Sequence, residues 1–292
     1  MIGNVLAGDI LKKSNELEDS FYQVIITSPP YYGLRSYSEE KNINEIGHED
    51  NYREYIAKIV DAFRILRQKL KTDGLFWLNL GDTYRDKEQL GIPWRVALAL
   101  QDDGWILRSD VIWHKPNAMP SSVKNRPTVD HEYIFMFSKS KDYYYNADAI
   151  REPHVTFTEK SKMRGGRNHF GKRNGTPENG KNAGNSNLHD GRWDQAFHPN
   201  GRNKRTVWDI PLGKFRDAHF AVFPEKLVET CLLASTEEGD YVLDPFCGSG
   251  TTGVVSIRNK RNFTGIELVK KYQKMSEQRI KNEIENLGLF IE

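Results

Sequence analysis

The stretch Tyr241-Val-Leu-Asp-Pro-Phe-Cys-Gly-Ser-Gly-Thr-Thr-Gly253 constrains this chain more than any other. Apolar residues run into Asp244, a Gly-rich bend follows, and a helical pattern starts at Thr251. This is strand, tight turn and helix start. Gly248 and Gly250 can take positive φ, which lets a ligand approach the backbone closely. The first N–H groups of the new helix face that ligand. A second short strand, Phe263-Thr-Gly-Ile-Glu-Leu268, ends on a carboxylate. The loop-to-acid spacing, about 20 residues, suits a nucleotide-type site in which the acid holds ribose hydroxyls. An ordinary βαβ turn with two structural glycines has the same look. A P-loop is disfavoured, because it needs Lys after its last Gly and Thr251 stands there.

At the amino end, residues 4–10 read as a short strand ending at Gly8-Asp9. Tyr22-Gln-Val-Ile-Ile-Thr27 is nearly continuous in apolar character, as strands buried on both faces of a parallel sheet are. It stops at Ser28-Pro29-Pro30-Tyr31-Tyr32-Gly33. Two prolines remove two N–H donors, and Ser28 is forced into an extended conformation by Pro29. The result is a stiff ledge offering the Ser28 hydroxyl, the Pro29 carbonyl and the Tyr31 ring. A proline-capped turn with a core tyrosine would read alike.

An amphipathic helix is predicted over 51–71, with an Asn51/Glu54 capping box and a stop at Gly74. The strand 74–79 ends at Asn79-Leu-Gly-Asp82. Helix 93–103 follows, then strands 106–113 and 133–137, read as a hairpin at one sheet edge. The long polar loop 114–132 joins them, and loops of that length in a compact domain are usually functional. Helices over 224–235 and 269–286 complete a mainly parallel α/β pattern. In such a sheet the binding crevice opens at the strands' carboxyl ends, where strand order reverses.

Composition matters chiefly through its distribution. The 292 residues carry a net charge of only +2. Residues 160–205 hold eleven Lys and Arg against three acids, a net +8, which leaves −6 for the rest. That segment is Gly- and Asn-rich, with Phe170, Trp193 and Phe197 interleaved, as expected of a surface that tracks a phosphate backbone. A solvated basic loop without a partner has similar composition. The two cysteines, Cys231 and Cys247, form no CxxC, and the eight histidines have no metal-ligand spacing, so no metal is expected. No signal peptide or long apolar run is visible, which suggests a soluble cytoplasmic protein.

With these stretches in hand, the chain resembles the amino-methylating (N4-cytosine or N6-adenine) DNA methyltransferases, which use S-adenosyl-L-methionine. Asp244-Pro-Phe-Cys-Gly-Ser-Gly-Thr-Thr252 is similar to their cofactor loop, and Thr27-Ser-Pro-Pro-Tyr31 to their catalytic motif. Phe220-Ala-Val-Phe-Pro-Glu-Lys-Leu227 resembles the element before the cofactor loop. Trp113-His-Lys-Pro116, with Arg126-Pro-Thr128 and His131-Glu132, resembles their active-site loop. The catalytic motif precedes the cofactor loop, the permuted order called the β class. The resemblance covers most of the chain except about 151–210.

The resemblance implies a Rossmann-like α/β sheet, circularly permuted, in three parts. These are a catalytic half (1–150), a basic target-recognition insert (151–210) and a cofactor-binding half (211–292). It implies catalytic roles for Ser28, Pro29, Pro30 and Tyr31. Cofactor contacts fall to Asp9, Phe223, Pro224, Asp244, Phe246, Gly248, Ser249, Gly250, Thr251, Thr252 and Glu267. The helix-capping alternative stays open for Asp9. Lys115, Arg126 and His131 are expected in the active-site loop. Double-stranded DNA is expected at Arg164, Arg167, Lys172, Arg173, Arg192, Arg202, Lys204 and Arg205. Ser before Pro-Pro-Tyr points to cytosine N4, with adenine N6 the alternative; a cognate restriction endonuclease is a possible partner. Asp82 and Asn79 are each either a proton acceptor or a structural hydrogen-bonding group. Cys247 is expected to pack, not to act as a nucleophile. An RNA or protein methyltransferase and a non-catalytic DNA-binding protein remain rival readings.

Overall fold

A computed structural model describes residues 1–33, 45–153, 200–213 and 223–288. The chain falls into two compact units, residues 1–146 with 205–292, and residues 147–204. The larger unit contains an eight-stranded sheet. Its strands in chain order are β1 (Gly3–Ala7), β2 (Tyr22–Thr27), β3 (Leu70–Leu80), β6 (Ile106–His114), β7 (His131–Ser138), β8 (Val207–Asp209), β9 (Tyr241–Asp244) and β10 (Asn262–Glu267). A separate two-stranded ribbon is formed by β4 (Tyr84–Arg85) and β5 (Glu88–Gln89). The helices are α1 (Ile10–Asn15), α2 (Tyr52–Lys69), α3 (Ile92–Asp102), α4 (Glu225–Ser235), α5 (Thr251–Arg258) and α6 (Lys270–Asn286).

The spatial order is β1-β10-β9-β2-β3-β7-β6-β8. From β1 through β3 every pairing is parallel, and β7 runs antiparallel to both its neighbours. The chain moves outward one way from β9 to β10 and the other way from β2 to β3. The order therefore reverses between β9 and β2, which pair through Val24–Val242 and Ile25–Leu243. The strands that carry the two key stretches are therefore neighbours at the point of reversal, in the mainly parallel α/β sheet that the sequence predicts.

All six residues of β2 are buried. Ile25 is fully enclosed in the main core with Phe63, Leu66, Phe76 and Leu243. Removing such a side chain, as in Ile25→Ala, costs about 2–5 kcal/mol. Helix α2 presents Tyr55, Ile59, Phe63 and Leu66 to this core. Its start is fixed by Asn51, whose side chain accepts from the N–H groups of Arg53 (3.0 Å) and Glu54 (3.1 Å) and donates to the Glu54 carboxylate (2.7 Å).

Three sequence expectations shift. Helix α2 does not stop at Gly74; it passes straight into β3 at Leu70. Gly74 lies inside β3, opposite a register irregularity between Tyr22 and Val24. A Cβ there would lie 2.9 Å from the Gln23 carbonyl oxygen, so its role is close backbone approach. The β6–β7 hairpin is not the sheet edge, because β8 adds outside β6 in parallel. That strand lies in the stretch expected to form the insert. Finally, His131 and Glu132 lie in β7, not in the preceding loop.

In the smaller unit, the described residues include a 3-10 turn, Asp148–Ile150, and an antiparallel bridge between Glu152 and Arg202. Arg202 also pairs with the Glu152 carboxylate at 3.0 Å. Arg164, Arg167, Lys172, Arg173 and Arg192 lie outside the described residues.

Candidate active site

Five adjacent parallel strands end at one edge of the sheet, and their last residues or the residues just after them carry polar chemistry. These are Gly8-Asp9 after β1, Glu267 closing β10, Asp244 closing β9, Ser28 after β2 and Asn79 near the end of β3. Because β7 is antiparallel, its first residues reach the same edge. A cavity of about 350 Å³ opens there.

The cofactor-type half is organised by Asp244, which is 3% exposed. One carboxylate oxygen accepts from the Thr27 hydroxyl (2.6 Å) and the Phe246 N–H (3.1 Å); the other accepts from the Thr252 hydroxyl (2.6 Å). Thr27 is the last residue of β2, so this bond joins the two key strands directly. Burial raises the Asp244 pKa to about 6, against the pull of those three donors. Gly248 and Gly250 have φ of +50° and +81°, which an L side chain rarely adopts. A Cβ on Gly250 would also lie 2.6 Å from the Ser276 Cβ. The loop is held from outside by Arg279, which donates to the Ser249 carbonyl at 2.6 Å.

Glu267 accepts from the Gly248 N–H (2.9 Å) with one oxygen and from the Val269 N–H (2.8 Å) with the other. Burial raises its pKa to about 7, and the nearby Asp244 charge adds to the effect. Two bonds leave lone pairs on the carboxylate for further donors. A turn open to close approach, a carboxylate with spare acceptor capacity and an apolar cavity suit a nucleoside-bearing ligand.

The ledge half is a hydrogen-bonded cluster. Asn79 donates through Nδ2 to the Tyr133 carbonyl and to Glu132 Oε2, each at 3.1 Å. Two acceptors on that side fix its amide, so Oδ1 faces the hydroxyls of Tyr31 (3.0 Å) and Ser28 (3.2 Å). The Tyr31 hydroxyl donates to Glu132 Oε2 at 2.7 Å and lies 3.2 Å from Ser28 Oγ. Lys115 pairs with Glu132 Oε1 and lies 4.5 Å from the centre of the Trp113 ring. The Pro30 carbonyl accepts from Tyr55 at 2.9 Å, tying the ledge to α2. Gly81 leaves room for the Tyr31 ring, since a Cβ there would meet Tyr31 Cε2 at 2.6 Å.

Of the sequence-predicted residues, Asp9, Ser28, Pro29, Pro30, Tyr31, Lys115, Phe223, Asp244, Phe246, Gly248, Ser249, Thr251, Thr252 and Glu267 line the cavity. Asp9 lines it while its side chain also caps α1, accepting from the Lys12 N–H at 3.2 Å. Gly250 and Pro224 stand behind the lining as the residues that start α5 and α4. Arg126 and His131 are not in the lining: the Arg126 guanidinium lies 3.9 Å from the centre of the Tyr84 ring, and His131 packs edge-on against Tyr133. Of the two roles left open for Asp82, the geometry favours the structural one. Its carboxylate is spent on the N–H groups of Thr83, Gly91 and Ile92 and on Gln89, which organises the start of α3. Cys247 packs against Gly265, and burial pushes its thiol pKa well up. Glu132, which the resemblance places in the active-site loop, also lines the cavity, as does Glu45, which the sequence did not single out. The contacts of Glu132 with Tyr31 and Asn79 were not legible, since nothing local says which way an antiparallel strand will enter. Among the described residues no group of His, Cys, Asp and Glu could hold a metal ion, and no helix is long and apolar enough to cross a membrane.

The sequence pattern of the N6/N4 family, described as DNA methylase, matches residues 22–278. The chain belongs to this family. It is 38% identical to the Type II methyltransferase M.SmaI of Serratia marcescens, over 94% of this chain and 90% of that protein. Solved structures share the fold, among them the following two. The PvuII DNA methyltransferase (cytosine-N4-specific) superposes with a TM-score of 0.67 at 21% identity, covering 98% of this chain and 93% of the other. TTHA0409 of Thermus thermophilus, solved in complex with S-adenosyl-L-methionine, gives 0.62 at 23% identity, covering 97% and 95%. This family member is therefore a DNA methyltransferase with a Rossmann-like sheet.

Proposed function

We propose that the protein methylates the exocyclic N4 of cytosine in double-stranded DNA, with S-adenosyl-L-methionine as cofactor. One observation carries the reading: the Ser28-Pro29-Pro30-Tyr31 ledge and the Asp244–Thr252 loop line one cavity, their strands joined by the Thr27–Asp244 bond. Glu267 would hold the cofactor's ribose hydroxyls, and the Gly248 turn with the α5 start would admit its backbone-facing edge. Phe223 and Phe246 supply apolar lining. The bound cofactor supplies an electrophilic methyl group.

The target nitrogen is a poor nucleophile because its lone pair is delocalised into the ring. Hydrogen bonds from its N–H groups to Ser28 Oγ and the Pro29 carbonyl localise that pair and aim it. Tyr31 stacks on the base, a contact worth about 1–3 kcal/mol, which helps offset the cost of extracting the base, about a few kcal/mol. Alignment supplies much of the acceleration. Arg164, Arg167, Lys172, Arg173, Arg192, Arg202, Lys204 and Arg205 would track the DNA backbone. A cytoplasmic location and a cognate restriction endonuclease fit the same reading.

Ser at the first ledge position favours cytosine over adenine. Mass spectrometry of nucleosides from DNA treated with the protein decides the base. N4-methylcytosine is the expected product, and N6-methyladenine alone would reverse the choice.

A further inference from the structure

Methyl transfer to a neutral amine leaves a cationic nitrogen that must lose a proton. Asp82, the carboxylate after β3, is occupied by four donors and lies outside the cavity lining. The ledge cluster offers a different exit. An ionised carboxylate only accepts, so the 2.7 Å contact between Tyr31 Oη and Glu132 Oε2 places the phenol proton toward Glu132. That charge-assisted bond is stronger than the competing 3.0 Å contact to Asn79 Oδ1. The Tyr31 oxygen is then left with acceptor capacity facing Ser28 Oγ at 3.2 Å. The Ser28 hydroxyl has a second acceptor, Asn79 Oδ1, at the same distance, so a rotation about its C–O bond turns its proton onto Tyr31.

We infer that Glu132 is the terminal acceptor of a proton relay that runs from the target amine through Ser28 and Tyr31. The inference rests on the methyl transfer proposed above. The amine nitrogen forms a bond to the methyl carbon as the carbon–sulfur bond breaks and sulfur keeps the electron pair. The nitrogen's proton moves to Ser28 Oγ, the Ser28 proton to Tyr31 Oη, and the Tyr31 proton to Glu132 Oε2. The methylated nitrogen ends neutral, Ser28 and Tyr31 end as they began, and Glu132 ends protonated. Lys115 holds the other Glu132 oxygen and keeps Oε2 aimed at the phenol. Glu132 thus acts through Tyr31, as a positioning and proton-accepting residue that need not touch the base.

The test uses a duplex carrying the site found by mapping methylation, with Glu132→Gln, Tyr31→Phe and the double variant. Each single change should slow single-turnover methylation at pH 7 by about 100-fold, the scale of general acid–base catalysis. The double variant should be no slower than the slower single, because both cut one path. The deficit should shrink as pH rises and solvent takes the proton. Without cofactor, duplex affinity and the fluorescence of 2-aminopurine at the target position should stay within about two-fold of the parent, which a merely structural defect would not allow. Unchanged rates, losses that multiply in the double variant, a deficit independent of pH, or impaired extrusion of the base would each overturn the relay. Should Glu132→Gln fail to fold, Tyr31→Phe alone decides through its pH profile. A parent protein that methylates no DNA sinks the function itself; relay variants as fast as an active parent sink only the relay.

Discussion

Glu267→Gln tests the electrostatics of the cavity without any ligand. The Glu267 carboxyl has a pKa of about 7 in the fold against 4.5 for an unperturbed glutamate. A raised acid pKa means the folded state prefers the protonated form. Stability from this group is full below the unfolded pKa and is lost as pH rises through the folded one. Integrated from pH 5 to pH 8, the loss from this single group is about 2–3 kcal/mol. Asp244, raised from 3.8 to about 6, adds a smaller loss, about 1 kcal/mol, over the same window. Gln cannot ionise, so the variant should lose the larger share of the slope. It should also be less stable at pH 5, because its amide N–H₂ confronts the Gly248 or Val269 N–H, an unsatisfied pair worth about 1–3 kcal/mol. Urea melts of the ligand-free protein at pH 5, 6, 7 and 8 give both quantities. Parallel pH dependences for parent and variant would refute the assignment of the raised pKa to Glu267.

Other consequences follow from the same geometry. Gly81→Ala places a Cβ 2.6 Å from Tyr31 Cε2; displacing the ring should lower turnover by roughly 10- to 100-fold while calorimetric cofactor affinity holds. Ser28→Ala should cut turnover by about 100-fold or more and leave cofactor affinity unchanged; equal activity would remove Ser28 from the mechanism. If ribose hydroxyls donate to Glu267, binding favours its ionised form, so cofactor affinity should rise with pH through about 7, and that rise should vanish in Glu267→Gln. DNA affinity should fall steeply with salt if the basic insert contacts phosphates; a flat response would remove that role.

What the sequence determined by itself is local. The burial of β2, the proline stop after it and the glycine turn after Asp244 all follow from side-chain type and nearest-neighbour sterics. Hydrophobic period reports which face is buried, and proline and glycine report where a strand must stop or turn. Neither reports which strand lies alongside. The Thr27–Asp244 bond spans 217 positions, and only the tertiary fold brings those oxygens within 2.6 Å. Glu132 belongs to the cavity because β7 enters antiparallel, whereas Asp82, a better candidate on sequence, is claimed by backbone donors at the start of α3. A carboxylate's chemistry is set by which donors reach it and how much water is removed, and both are properties of the packed structure.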